Sequence, residues 1–260
     1  MRVNFEPCLM DDVQQLMQDY LRGLSSPFDS FLEEHIVSSA FYRITEEPGE
    51  MGYFAIHENG LLTQFYIRHA LQMHAQTLFD RVIEQYAVKS LFIPTGDELF
   101  VSLALDKSYV VNKQAYFFQD SGTYTSGSRV RDNETFRLAV LDDLEQIQRV
   151  CGDFLDAYER RITSGELFVY YREADLLGIG IAERSKLLPG LASIGMFANE
   201  AFRRQGVGTT IIEALRQWCA QHGIRPISGC WYYNDGSKKT LEKAGMVSRT
   251  RLLNITTHLG

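Results

Sequence analysis

The segment Met196-Phe197-Ala198-Asn199-Glu200-Ala201-Phe202-Arg203-Arg204-Gln205-Gly206-Val207-Gly208-Thr209-Thr210 carries the clearest chemistry in the chain. A strand-like run enters a glycine-bearing turn, and beyond it Ile211, Ile212, Leu215, Trp218 and Cys219 recur at helical spacing. A helix start leaves four backbone N–H groups without intrahelical partners and carries about half a positive charge, so it holds a phosphate wherever side chains stay clear. Gly206 and Gly208 keep them clear. Arg203 and Arg204 are either extra charge beside that phosphate or solvated surface groups.

Two other phosphate-binding patterns fail here. A dinucleotide fingerprint needs Gly-x-Gly-x-x-Gly after a first strand, and this Gly-x-Gly stands alone and late. No Gly-Lys-Ser/Thr follows, so a nucleotide-hydrolysing loop is absent as well.

The elements that must position this turn are legible in the second half. Phe136–Val140 reads as a strand, Asp142-Asp143 as a helix start, and Leu167–Tyr171 and Leu176–Ala182 as a hairpin. Ala192–Ala198 is a strand, Thr209–His222 a helix, Pro226–Tyr233 a strand, Ser237–Ala244 a helix and Met246–Thr256 a last strand. The first half runs in nearly the same order: a helix over Asp11–Leu24, strands at Ala40–Thr45, Gly52–His57 and Leu61–His69, and a helix at Met73–Tyr86. Ser90–Pro94, Asp97–Leu105 and Tyr109–Gln119 complete it. Leu105-Asp106-Lys107-Ser108-Tyr109-Val110 lines up with Leu241-Glu242-Lys243-Ala244-Gly245-Met246, which predicts two copies of one mixed α/β unit. The small, polar stretch around 121–128 is the expected linker, dividing domains at 1–120 and 129–260.

Composition fits that reading. The chain has 260 residues, 45% of them apolar, enough for one large core or two small ones. Neither an apolar run long enough for a membrane span nor a signal sequence is visible, so no membrane partner is expected and the cytoplasm is the default location. Cys8, Cys151, Cys219 and Cys230 form no Cys-x-x-Cys pair and are expected to be reduced; His69 and His74 are not expected to hold a metal. The net charge of −7 argues against nucleic acid as a partner. It is unevenly spread: residues 1–127 carry 8 basic against 17 acidic side chains, and residues 128–260 carry 18 against 16.

The turn resembles the signature of the GNAT superfamily of acyl-CoA-dependent N-acetyltransferases, Arg/Gln-x-x-Gly-x-Gly/Ala, here Arg203-Arg204-Gln205-Gly206-Val207-Gly208. A second family element, an Asn, a short helix and a Glu-Lys-x-Gly ending, is matched by Asn234 through Met246. The resemblance is detailed over about residues 130–256 and looser before. It implies two GNAT-like units, each a mixed, mostly antiparallel sheet flanked by helices, the first a degenerate copy. It implies acetyl-CoA as cosubstrate: Met196, Phe197 and Ala198 pair with the pantetheine arm, amides from Gln205 through Val207 to Thr209 cradle the pyrophosphate, and Asn234 and Ser237 lie against the arm. Independently, an extended amide-bearing arm suits an unpaired strand edge.

Acetyl transfer needs a neutral amine, a route for its proton, oxyanion donors and an acid or solvent for the thiolate. Many family members carry the acid as a Tyr in the short helix, where this chain has Leu241. Tyr233 or its neighbour Tyr232 is a substitute, and Glu183 is a candidate base acting through water. Each has a plain structural alternative, wall packing for the tyrosines and an exposed strand end for Glu183.

The first half reads Tyr66-Ile67-Arg68-His69-Ala70-Leu71-Gln72-Met73-His74 at the corresponding place, with no glycine, and is expected not to bind CoA. The expected activity is direct acetyl transfer to a primary amine of a small, cationic molecule or a peptide. A non-catalytic acyl-CoA-binding regulatory module is the alternative, O-acetylation or a longer acyl chain a third. A homodimer is left open.

Overall fold

The computed structural model describes residues 3–47, 49–124 and 130–258, so part of the expected linker, 125–128, lies outside the described residues. The chain forms two compact units, Met1–Phe117 with Thr250–Gly260, and Phe118–Arg249.

The first unit runs β1 (Val3–Cys8), α1 (Gln14–Gly23), α2 (Ser30–Val37), β2 (Ala40–Glu46), β3 (Gly49–His57), β4 (Leu61–Ile67), α3 (Ala75–Gln85), β5 (Ser90–Pro94), α4 (Glu98–Leu105) and β6 (Val110–Asp120). Strands β1 to β4 pair antiparallel with their neighbours, whereas β4 pairs with β5 in parallel, at Leu61↔Ser90 and Leu62↔Leu91. Residues Leu252–Thr256, from the chain's final strand, lie antiparallel on the other edge of β5. One face of α3 buries Leu78, Phe79, Val82 and Ile83. Phe79 stands edge-on to Phe65 and Phe100, with ring centroids 5.4 and 6.1 Å away. Fully burying a side chain of this kind contributes about 1.5–3 kcal/mol.

The second unit takes in the end of β6 and then β7 (Glu134–Leu138), α5 (Leu144–Cys151), α6 (Tyr158–Thr163), β8 (Leu167–Arg172), β9 (Asp175–Arg184), β10 (Leu191–Ala198), α7 (Val207–Gln221), β11 (Arg225–Trp231), α8 (Asp235–Lys243) and the start of β12 (Met246–Thr256). Its strands pair in the order β7-β8-β9-β10-β11, antiparallel except for the parallel pair β10-β11. The succession of strands and α-helices is therefore the same in both halves, and the duplication expected from the sequence is present.

Helix α7 lies close against β9 because the strand is pared down beneath it. A Cβ at Gly180 would stand 3.0 Å from Ile211 Cγ2 and 3.1 Å from Leu215 Cδ1, tighter than packed side chains tolerate. Arg216, on the same helix, is buried, and its guanidinium donates to the Asp120 carboxylate and to the carbonyls of Thr123, at 2.9 Å, and Ala244. Tyr124 completes the knot by donating to Asp120, with the Arg216 guanidinium 4.7 Å from its ring centroid. Burial alone would raise the Asp120 carboxyl, but bonds from Tyr124 and Arg216 hold it below the usual carboxylate range. Burial, reinforced by the bond to Asp120, pushes the Tyr124 phenol up to about 12.

Candidate functional site

Strands β10 and β11 pair only at Leu191↔Arg225, Ala192↔Pro226 and Ser193↔Ile227. Beyond Ser193, β10 keeps its bonds to β9 as far as Ala198↔Gly178. Its other edge parts from β11, leaving a wedge between the strands. Backbone N–H and C=O groups are obligatory hydrogen-bonding groups, so this edge is a ready template for an extended, amide-bearing segment.

The wedge opens into a cavity of about 900 Å³, closed by the start of α7 and one side of α8. Between β10 and α7 the Asn199 side chain accepts from Ala201 N at 3.1 Å, and Arg203 pairs with Glu200 at 3.0 Å. Arg204, at φ +64°, and Gly206, at φ +86°, then turn the backbone through the left-handed region. Helix α7 begins with no side-chain cap. Since Thr210 N makes the bond to Gly206 O at 3.0 Å, the amides of Val207, Gly208 and Thr209 precede the helix's own ladder. With Arg203, Arg204, Lys239 and Lys243 on its walls and no Asp or Glu among its described lining residues, the cavity is electropositive.

The two glycines differ in purpose. A Cβ at Gly206 would point into open space, so its requirement is conformational. A Cβ at Gly208 would stand 3.1 Å from both Met196 Sδ and Thr240 Cγ2, so this glycine lets β10, α7 and α8 converge. From sequence both glycines have one task, clearing a phosphate; periodicity carries no sign of the second.

Met196, Phe197, Ala198, Arg203, Arg204, Gly206, Val207, Gly208, Thr209, Asn234 and Ser237 all line this one cavity. Gln205 lies in the turn beside it, exposed. Asn234 caps α8, its side-chain oxygen accepting from Ser237 N at 3.0 Å. Leu241 is on the wall, buried.

Glu183 and Tyr233 are not on the wall. Glu183 sits on β9 opposite Ser193, at the closed end of the wedge and four residues, about 13 Å of strand, from the level of Phe197. Its carboxylate is 3.7 Å from Arg161, which also binds Asp156 at 2.8 Å and Glu166 at 3.3 Å. Strand β11 ends at Trp231, two residues earlier than expected, because Asn234 N turns back to Trp231 O at 2.9 Å. Tyr232 and Tyr233 therefore lie in the turn, where strand alternation does not sort them. Tyr233 is exposed, its ring centroid 5.1 Å from that of Trp231.

Phe154, Trp231, Lys239 and Lys243 also line the cavity, without being singled out by the sequence. The lysine spacing was a usable signal, since residues four apart share a helix face. Phe154 had none: it comes from the segment between α5 and α6. Among the described residues no group of three metal-ligating side chains is assembled, and no helix is long and apolar enough to cross a membrane.

Comparison with known proteins agrees with this geometry. Residues 9–121 match the acetyltransferase (GNAT) domain model, and residues 134–246 match the acetyltransferase (GNAT) family model. Among solved structures, an acetyltransferase from the GNAT family of Colwellia psychrerythraea is similar at TM-score 0.87 and 20% identity, over 98% of this chain and 99% of that one. A tandem GNAT protein from the clavulanic acid biosynthesis pathway aligns at TM-score 0.65 and 12% identity, over 100% and 99%. A GCN5-related N-acetyltransferase from Sphaerobacter thermophilus aligns at TM-score 0.68 and 10% identity, over 99% and 96%. At these identities the likeness is one of fold. No functionally curated protein matches the sequence.

Proposed function

Because the chain belongs to the GNAT acetyltransferases, as two units of that family in tandem, we propose that its second unit is an acetyl-CoA-dependent N-acetyltransferase acting on a primary amine of a small, cationic molecule or a peptide. The observation that carries this reading is the junction of an unpaired β10 edge with an uncapped, electropositive helix start in one cavity.

Acetyl-CoA fits what these residues offer. Its pantetheine amides would extend along Met196–Ala198, and Asn234 and Ser237 would bound the arm. Its pyrophosphate would rest on the amides from Gln205 to Thr209, with Arg203 and Arg204 nearby. In the reaction the amine nitrogen attacks the thioester carbonyl, a C–N bond forms, the C–S bond breaks, and the CoA sulfur leaves as a thiolate that takes up a proton. Backbone amides near Phe197 and Ala198 would donate to the oxygen as charge gathers on it. Glu183, at the closed end of the wedge about 13 Å along the strand, would receive the amine's proton along a relay of several waters, and Tyr233, from the turn after β11, would supply one to the sulfur. Much of the acceleration would come from holding amine and thioester together.

The first unit would not bind CoA. Its β4 also parts from β5 beyond Leu62↔Leu91, but a 3-10 helix at His69–His74 follows, without glycine, where the second unit has its phosphate turn. Four cysteines, none of them in a disulfide, support a reducing compartment, the cytoplasm, as the place of work.

One observation favours a second reading, a non-catalytic acyl-CoA sensor: the buried aliphatic Leu241 stands where family members carry their acid. Release of free CoA thiol with a panel of amines separates the two. Turnover with any amine supports the enzyme, and acetyl-CoA binding without turnover across the panel supports the sensor.

A further inference from the structure

At paired positions in neighbouring strands side chains point to the same side, and along each strand they alternate. Ser193↔Ile227 therefore sets Gly195 and Phe197 of β10 on the same face as Gly229 and Trp231 of β11. This face is opposite α7, since Met196, of the other parity, points its sulfur at Gly208. Phe197 packs with the cluster formed by α5, α6 and β8, and its ring meets that of Phe154 with centroids 5.0 Å apart.

The far face of the wedge thus has a floor thinned to glycine at 195 and 229, with aromatic rings on both sides. Phe154 is 44% exposed, Trp231 58% and Tyr233 62%. Leaving such rings in water forgoes burial of large apolar surfaces, and a flat aromatic guest would add tilted or edge-on ring pairs to that burial. Every charged side chain on the described cavity wall is basic. Rings rather than paired charges are therefore what this part of the wall offers an acceptor.

We propose that this face binds the acceptor, and that the acceptor is a primary amine carried on a flat aromatic group held against Phe154, Phe197 and Trp231. The inference rests on the transferase reading and adds the substrate class. Trp231 and Phe154 determine specificity; neither takes part in proton transfer.

The test compares kcat/KM for phenethylamine, propylamine, spermidine and glucosamine on the full chain, for the native protein and for Trp231→Ala, Trp231→Phe and Phe154→Ala. Calorimetry with acetyl-CoA checks that each variant keeps its cosubstrate site. The expected result is a preference of about tenfold or more for phenethylamine over propylamine, lost in Trp231→Ala through KM and restored in Trp231→Phe. Equal rates for phenethylamine and propylamine, or a preference for spermidine or glucosamine, would overturn the substrate class and leave the transferase standing. No thiol release with any amine would defeat the transferase reading and this inference with it.

Discussion

Asp97 and Asn234 hold the same place in the two halves: each caps the helix after the unit's fifth strand, accepting from the backbone N–H three residues on, Phe100 and Ser237, at 3.0 Å. Asn234 is exposed at the cavity, whereas Asp97 is buried beside the phenols of Tyr20 and Tyr53. One capping position serves an open site in one unit and a closed core in the other.

Burial pushes the Asp97 carboxyl up to about 6 from 3.8, despite the bond from Phe100 N. Between these values the folded protein binds more protons than the unfolded chain, so stability falls as pH rises through the window. Above about 6 the full penalty, about 3 kcal/mol, is present. Asp97→Asn keeps a capping side chain and removes the charge. Denaturant midpoints should show this variant gaining stability near neutral pH and little at about pH 4. Asp29, raised likewise to about 6 by burial, would sustain part of the native slope.

Arg216→Ala leaves the Asp120 carboxylate in the second unit without its main partner. Losing one member of a buried ion pair costs about 3–5 kcal/mol, which chemical denaturation would register as a large fall in midpoint. Asp120, held low in the folded state, contributes stability above its unfolded value that is lost as pH falls through its folded one. Arg216→Ala should therefore flatten the acid limb. An unchanged midpoint would mean that the knot adds no stability.

Glu183→Gln tests the proton route. If Glu183 accepts the amine proton through water, kcat should fall about a hundredfold while acetyl-CoA affinity holds. A kcat within about twofold of native would assign the catalysis to positioning alone.

Lys239 and Lys243, four residues apart on α8, should help hold the anionic cosubstrate. Replacing both with Met should weaken acetyl-CoA binding most at low ionic strength, because exposed charges are screened within about 10 Å at 0.1 M salt. Loss of equal size at every salt concentration would point to packing instead.

Elements with strong periodicity were legible in the sequence. Ser90–Pro94 and Met246–Thr256 form strands with the bounds expected, and α7 starts two residues ahead of its predicted start. Three elements gave no readable pattern. In β1, Glu6 and Pro7 interrupt the alternation of an edge strand; α2 is eight residues with its cap at Asp29; α6 is six residues entered through Ala157 at φ +48°. The cosubstrate face of the cavity was visible because glycines and a helix start are local features. The aromatic face was not, because Phe154 and Trp231 meet the same cavity only through tertiary packing.

Calorimetric titration of acetyl-CoA into the full chain tests the central claim most directly. One equivalent should bind per chain, about five- to thirtyfold more weakly in Gly206→Ala, where relief of about 1–2 kcal/mol of left-handed strain draws the turn out of its binding shape, and with unchanged affinity in Ala70→Gly. No heat, two equivalents per chain, or equal losses in both variants would contradict the assignment of the thioester carrier to the turn ahead of α7.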